Sequence, residues 1–316
     1  RYLMKARFSR PAISLCESPL QPICDTKMTS IGSDTDSRSL TVLNPFDLSP
    51  VDTVPENTPE DVEAALVLAH ALFRDRDAWL PEYKRLAVLE RTATLMEERF
   101  DQLSEIAVRE GGKPMTDTRA EIARSIDTVK GAAAALRTDA GKAIPMGLTP
   151  ATENRMAFTR REPIGVVVAV SAFNHPLNLI VHQVAPAVAA GCPFIVKPAP
   201  DTPLSCLTFV NILHEAGLPK DWGRAIVTSD NALSEKLATD PRVGFFTFIG
   251  SSRVGWALRS KLAPGTRCAL EHGGAAPVIV TGDSDVYEVR EAILKGCFYH
   301  AGQVCVSVQR IFAHTR

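Results

Sequence analysis

Residues 163–178 read PIGVVVAVSAFNHPLN. Within them GVVVAVS (165–171) is apolar and β-branched with no polar alternation, the texture of a short strand buried on both faces. Asn174 and Pro176 break the run, and helical spacing follows over 177–190. The same rhythm repeats downstream. PFIVK (193–197), AIVTS (225–229) and VGFFTF (243–248) read as strands, with helical segments at 202–216, 231–238 and 251–262. Such alternation predicts an α/β fold on a doubly wound, Rossmann-like parallel sheet whose ligands sit beyond the carboxyl ends of the strands. After Cys268 a further strand (APVIVTG) and an amphipathic helix (284–295) read as the start of a second α/β domain. Val306 to Thr315 reads as a strand or core segment that stops without cap, turn or polar tail, so the chain reads as a fragment.

Upstream the texture is helical. Thr58 and the Pro59-Glu60-Asp61 that follows supply an N-cap and an acidic first turn, and apolar positions 62, 65, 66, 68 and 69 recur at helical spacing. Two longer helices are expected, at about 82–109 and 116–139. No helix signal persists between Pro145 and Glu162, which predicts an extended ribbon projecting from the body. Residues 29–40, rich in Ser, Thr, Asp and Gly, hold too little apolar surface to order themselves. Residues 1–27 open on Arg, lack an apolar core of signal-peptide length and read as upstream-translated or poorly ordered; Glu17 and Asp25 weaken the alternative of a transit peptide.

With 316 residues and 45% hydrophobic content, the chain exceeds the roughly 250–300 residues at which single cores stop growing, so more than one domain is expected. Lys+Arg 35 against Asp+Glu 36 leaves a net charge of -1. No global field gathers nucleic acid or an anionic membrane, and the expected partner is a small molecule. The longest apolar runs, such as Gly165 to Ser171 and Ala275 to Val280, fall far short of the roughly 18–20 residues that cross a bilayer. The 7 cysteines form no CxxC pair, against both a disulfide framework and a structural zinc site; no metal is expected, and the odd count favours reduced thiols in a cytoplasmic setting.

Five polar features end apolar segments. Asn174 could cap a helix or fill a turn. Lys197, leaving a strand, either snorkels or meets an anion, since a buried charge is costly alone; the turn before Thr202 and Pro203 leaves room for a ribose or phosphate. FIGSSRVG (248–255) places Ser251 and Ser252 between Gly250 and Gly255, a flexible strand-to-helix turn that suits a pyrophosphate or is simply a turn. Glu271 in EHGG is a solvated loop residue or an acid–base group, and Cys305 in GQVC is core packing or a nucleophile. Taken jointly, their order along the chain places them where α/β active sites collect.

In that order the segments EPIGVVVAVSAFNHPLN, KPAPDTPL, EAGLP, FIGSSRVG, EHGG and GQVC resemble the aldehyde dehydrogenase superfamily. With the upstream helices and ribbon, the likeness covers everything after about residue 41. The resemblance implies NAD(P)-dependent oxidation of an aldehyde to a carboxylic acid. Cys305 would be the thiolate that forms a thiohemiacetal and then a thioester. The Asn174 amide and the Cys305 backbone N–H would form the oxyanion hole, and Glu271 would deprotonate the hydrolytic water, a role suited to a partly buried carboxylate. Lys197 would hold the adenosine ribose and Gly250 and Ser251 the pyrophosphate, with Gly255, Ser171 and Phe173 also in the NAD or NADP site. Cys297, which has no such motif, would pack in the core. The implied layout is a disordered or non-native segment over 1–40, an NAD(P)-binding domain over 41–270 with N-terminal helices and a β-ribbon near 143–162, and the beginning of a truncated catalytic domain over 271–316. The full-length protein would be a dimer or tetramer.

Some residues depart from the family pattern. Many members carry a Glu three residues after the strand-end lysine, where it repels a 2′-phosphate; here Pro200 stands there, so NADP should be tolerated at least as well as in Glu-bearing relatives. His272 replaces a usual Leu and Phe173 a frequent Trp. Arg124 stands where some branches bind anionic aldehydes, and FNHPLN with FYHAGQVC is most similar to the branch containing lactaldehyde and phosphonoacetaldehyde dehydrogenases. Two alternatives are a coenzyme A-acylating relative, which often lacks the Glu base present here, and a non-catalytic cofactor-binding fragment. The family's catalytic domain continues past the nucleophile, so the fragment itself is expected to be inactive or nearly so.

Overall fold

The computed structural model describes residues 38–315; the expectations for 1–37 lie outside the described residues. Ser39–Leu43 (β1) and Pro50–Pro55 (β2) form an antiparallel hairpin, so regular structure begins inside the segment expected to be disordered. Burial is the reason: Val42 and Val54 pack with Ile106, Leu204 and Val227. Helix α1 (Pro59–Arg74) starts at a capping box between Thr58 and Asp61 and buries Val62, Ala65, Leu66 and Ala69. The single helix expected near 82–109 is two, α2 (Glu82–Glu98) and α3 (Phe100–Gly111). Arg99, at φ -109 and ψ 21, leaves the helical track between them, and Gly112 ends α3 in the left-handed conformation. Helix α4 spans Met115–Thr138. The expected ribbon is a hairpin of Lys142–Ile144 (β3) and Ala157–Thr159 (β4), with exposed Ile144, Leu148, Met156 and Phe158.

The central sheet is then laid down as β5 (Val166–Val170), α5 (Asn178–Ala190), β6 (Phe194–Lys197), α6 (Leu204–Glu215), β7 (Gly223–Ala225), α7 (Asn231–Thr239), β8 (Val243–Gly250), α8 (Ser252–Arg259) and β9 (Arg267–His272). Its order is β7-β6-β5-β8-β9, parallel throughout. The order reverses between β5 and β8, which makes the sheet doubly wound as predicted. Alternate residues of β5 feed the two layers: Val167 and Ala169 pack toward α2, α4, α5 and α6, Val166 and Val168 toward α1, α7 and α8.

Two strands differ from expectation. The third begins at Gly223, not Ala225, because a side chain there would overlap the Phe194 ring, and only glycine lets the backbone pair against β6. The chain from Ile226 onward leaves the ladder as a loop after one more bond, Ile226 N to Val196 O at 2.9 Å. Strand β9 was not expected; its residues alternate exposed and half-buried, an edge-strand pattern masked by Arg267 and Glu271. Beyond it, Val278–Val280 (β10), Val286–Phe298 (α9) and Ile311–Ala313 (β11) follow, with β10 and β11 paired in parallel. Among the described residues no helix is long and apolar enough to cross a membrane.

Candidate active site

Three loops meet at the carboxyl end of the sheet. The first leaves β5. Its Asn174 side-chain amide donates to the backbone carbonyl of Gln303 at 2.8 Å, and its own backbone carbonyl accepts from the His300 ring Nε2. The second runs from α9 to β11 and carries Cys305, which is exposed. The third follows β9: Gly274 N donates to the Cys305 carbonyl at 3.3 Å. Glu271, the residue of β9 opposite Ile249, sends its charge toward His175 and His182 of the Asn174 side. The sequence-predicted Asn174 and Cys305 therefore stand on loops linked through Gln303, and Glu271 stands near the end of β9, three residues before the Gly274 that bonds the Cys305 carbonyl. The partial burial expected of Glu271 is absent. It is exposed because β9 is the edge of the sheet, paired on one side only with β8. The Asn174 amide commits one N–H to Gln303 and keeps one.

The groups expected to meet a cofactor line the strand ends. Lys197 closes β6 with its side chain buried and its Nζ donating to Pro198 O at 3.1 Å. Burial draws its ammonium below the ordinary lysine value, opposed by Asp201 and Glu56. Ser171 N bonds Lys197 O at 3.0 Å, yet the buried Ser171 and Thr202 hydroxyls have no partner among the described residues. Orphaned hydroxyls beside a buried amine suit a polyhydroxylated ligand better than an apolar one. Phe173 is 46% exposed over the same edge. Gly250 ends β8, and Ser251 caps α8 by accepting from Val254 N at 3.4 Å. Gly255 is a correction: it lies inside α8, not in the turn, and a Cβ there would strike the His272 ring, so its smallness serves helix-to-strand packing. Arg124 is exposed on α4, and its charge bears on His175 and His182.

Several polar residues at the site escaped the sequence reading. Neither α5 nor α6 has a local side-chain cap. Instead Glu121 of α4 accepts from Leu177 N at 3.1 Å and Asn178 N at 3.0 Å, and Glu110 of α3 accepts from Leu204 N at 2.7 Å, Ser205 N at 2.9 Å and the Ser205 hydroxyl. Lys113 pairs with Glu121, both buried. Burial pushes Glu110 up to about 7, against its bonds from Ser205 and Leu204, and pushes the stacked His175 and His300 down to about 4. Capping partners so distant in sequence leave no local signal. The one readable cue was spacing: Asp117 and Glu121 stand one helical turn apart on α4.

Polar groups gathered at the carboxyl ends of a parallel sheet, around the reversal of strand order, define a doubly wound α/β protein of the dinucleotide-binding type. Residues 32–316 match the sequence model of the Aldehyde dehydrogenase family, and the chain belongs to that family. It is 37% identical over 284 residues to a 3-sulfolactaldehyde dehydrogenase of Priestia aryabhattai, covering 89% of this chain and 58% of that protein. It is 34% identical over 274 residues to a lactaldehyde dehydrogenase of Methanocaldococcus jannaschii, covering 85% and 58%. Among solved structures, a glyceraldehyde-3-phosphate dehydrogenase of Methanocaldococcus jannaschii complexed with NADP superposes with a TM-score of 0.81 at 32% identity, covering 89% of this chain and 61% of that one. The chain thus spans about 58% of the length of the two curated relatives.

Proposed function

We propose that the full-length protein oxidises an aldehyde to a carboxylic acid with NAD or NADP, through a thioester on Cys305. The observation that carries this reading is the bond from the Asn174 amide to Gln303 O, which brings a carboxamide donor to the turn that ends in the cysteine. The Cys305 thiolate adds to the aldehyde carbonyl, making a carbon–sulfur bond and an alkoxide. The remaining Asn174 N–H and the Cys305 backbone N–H donate to that alkoxide as its charge develops. When bound, NAD or NADP supplies the acceptor for the hydride that leaves the former carbonyl carbon. Glu271 then removes a proton from water, which attacks the thioester and frees Cys305 and the acid.

Lys197, Ser171, Gly250 and Ser251 are the groups proposed to hold the cofactor, with Phe173 at the rim and Gly255 setting the approach of α8 from behind. We assign residues 41–270 to a cofactor-binding domain and 271–316 to the start of a catalytic one. Pro200 offers no carboxylate against a 2′-phosphate, so NADP is proposed to serve at least as well as in Glu-bearing relatives. Arg124 is proposed to receive an anionic aldehyde; its exposure and the sulfonated and phosphorylated aldehydes in the relatives' names support this. The free state of Cys192, Cys206, Cys268, Cys297 and Cys305 supports a reducing, cytoplasmic setting, and the exposed apolar ribbon supports a homo-oligomer.

The test is reduced-cofactor production by the full-length protein across neutral, sulfonated and phosphorylated aldehydes, with and without coenzyme A. Free acid formed without coenzyme A is the expected result. A strict need for coenzyme A would replace this reading by the acylating one, and absence of turnover with every aldehyde would overturn both.

A further inference from the structure

The turn that leads into Cys305 is bent in a way side chains resist. His300 (φ 55, ψ 46) and Ala301 (φ 55, ψ 21) both occupy the left-handed region, and Gly302 follows at φ 75. A left-handed residue other than glycine is disfavoured because its Cβ crowds the following carbonyl oxygen. Two in succession persist only where the surroundings over-determine them. Here the surroundings are specific. The His300 backbone N–H donates to Asp117 Oδ2 at 3.0 Å, its ring Nε2–H donates to the Asn174 carbonyl, and the ring stacks on His175 with centroids 4.2 Å apart and an interplanar angle of 16°. Ser307 closes the far side through its hydroxyl to Gly302 O at 2.9 Å.

Asp117 stands one turn before Glu121, so the two carboxylates project from one face of α4. Glu121 holds the other loop: one oxygen accepts the Leu177 and Asn178 N–H groups, the second pairs with Lys113 and lies 3.5 Å from His175 Nδ1. A single helix face therefore grips the cysteine turn through Asp117 and the carboxamide loop through Glu121, with the two stacked imidazoles closing the gap. Burial keeps both imidazoles uncharged at neutral pH, so the stack carries no like-charge repulsion there.

We propose that Asp117 and His300 are positioning residues that lock the left-handed turn leading into Cys305 against Asn174, with Glu121 and Lys113 anchoring the opposite jaw of the same clamp. This rests on the roles proposed above for Cys305 and Asn174. None of the four touches the reacting atoms; they set where the thiol and the oxyanion donor stand relative to each other.

The test uses the full-length protein and two readouts, backbone hydrogen exchange over residues 299–305 and steady-state kinetics. Asp117→Ala should raise exchange in that segment and lower kcat by about tenfold, the lower weight of one hydrogen bond to a charged group. KM for aldehyde and affinity for cofactor should stay within about twofold, since uniform binding is not what the bond supplies. Asp117→Asn, which keeps an oxygen acceptor, should restore both readouts. His300→Asn should be milder than His300→Val, because Asn tolerates the left-handed region and a β-branched residue does not. Unchanged exchange in Asp117→Ala, an exchange change without a fall in kcat, or failure of Asn to rescue would each overturn the proposal. Wild-type protein without turnover would instead count against the functional reading, and the exchange comparison would still decide whether the clamp exists.

Discussion

The segment around Cys305 is reached by the Asn174 side chain from one loop and by the backbone just after Glu271 from another. Gln303 O receives the carboxamide and Gly274 N reaches the cysteine carbonyl. Replacing Asn174 by Ala should therefore do double damage, removing the proposed oxyanion donor and freeing the segment that leads to the cysteine. A loss in kcat of about 10²–10³ is expected, the scale of a missing oxyanion donor, read in steady-state kinetics. The histidine pair makes a pH-dependent prediction. Folded His175 and His300 hold protons only below about 4, against 6.5 ordinarily, so between those values the unfolded chain binds protons that the folded chain refuses. Their contribution is complete above pH 6.5 and is lost as pH falls toward 4. Glu110, raised from 4.5 to about 7, works in the opposite sense, stabilising below 4.5 and fading as pH rises through 7. Melting temperatures should separate the two: His300→Asn should flatten the acid-side decline relative to wild type. The residues visible in the sequence were those ending apolar strands. The clamp residues were not, because Asp117, Glu121 and His300 acquire their partners only once α4 is laid beside two distant loops.

At the scale of elements, helices α5 and α6 follow the first two strands of the sheet yet take their N-terminal caps from α4 and α3. Glu110→Ala leaves two backbone N–H groups and the Ser205 hydroxyl without their acceptor inside the core. At about 1–3 kcal/mol for a buried polar group left unsatisfied, a loss of about 2–4 kcal/mol is expected in denaturant unfolding, with Glu110→Gln recovering part of it. A second backbone constraint lies where Gly165 and Gly244 cross: a Cβ on Gly244 would come within 2.6 Å of Ile164 O and 2.7 Å of the Gly165 Cα. Gly244→Ala should cost about 1–3 kcal/mol by overpacking. The buried parallel strands and capped α1 were legible because apolar continuity and Thr58-to-Asp61 spacing are local signals. The break at Arg99 and the edge strand β9 were not. A one-residue departure from helical φ/ψ leaves apolar periodicity intact on both sides, and an edge strand with charged residues on its open face does not resemble its buried neighbours.

Across the whole molecule, order, layers and ligand edge follow from strand–helix alternation, which is why the doubly wound sheet was predictable while side-chain burial near its open edge was not. Glu271 illustrates the difference: its place at the end of an apolar segment was readable, whereas the strand it sits on and its exposure depend on what lies beside β9. The cofactor preference also belongs at this scale, since Pro200, Lys197 and the α8 turn come from separate units around one sheet edge. A kcat/KM for NADP at least equal to that for NAD is expected in the full-length protein; a strong preference for NAD would remove the significance given to Pro200. The most direct measurement is mass spectrometry of peptides from full-length Glu271→Gln protein quenched during reaction with aldehyde and NAD or NADP. Without the base, the acyl group should remain on the peptide containing Cys305, together with one equivalent of reduced cofactor. Reduced cofactor formed with no acyl mass on Cys305, or with that mass on Cys297 or another thiol, would contradict the account.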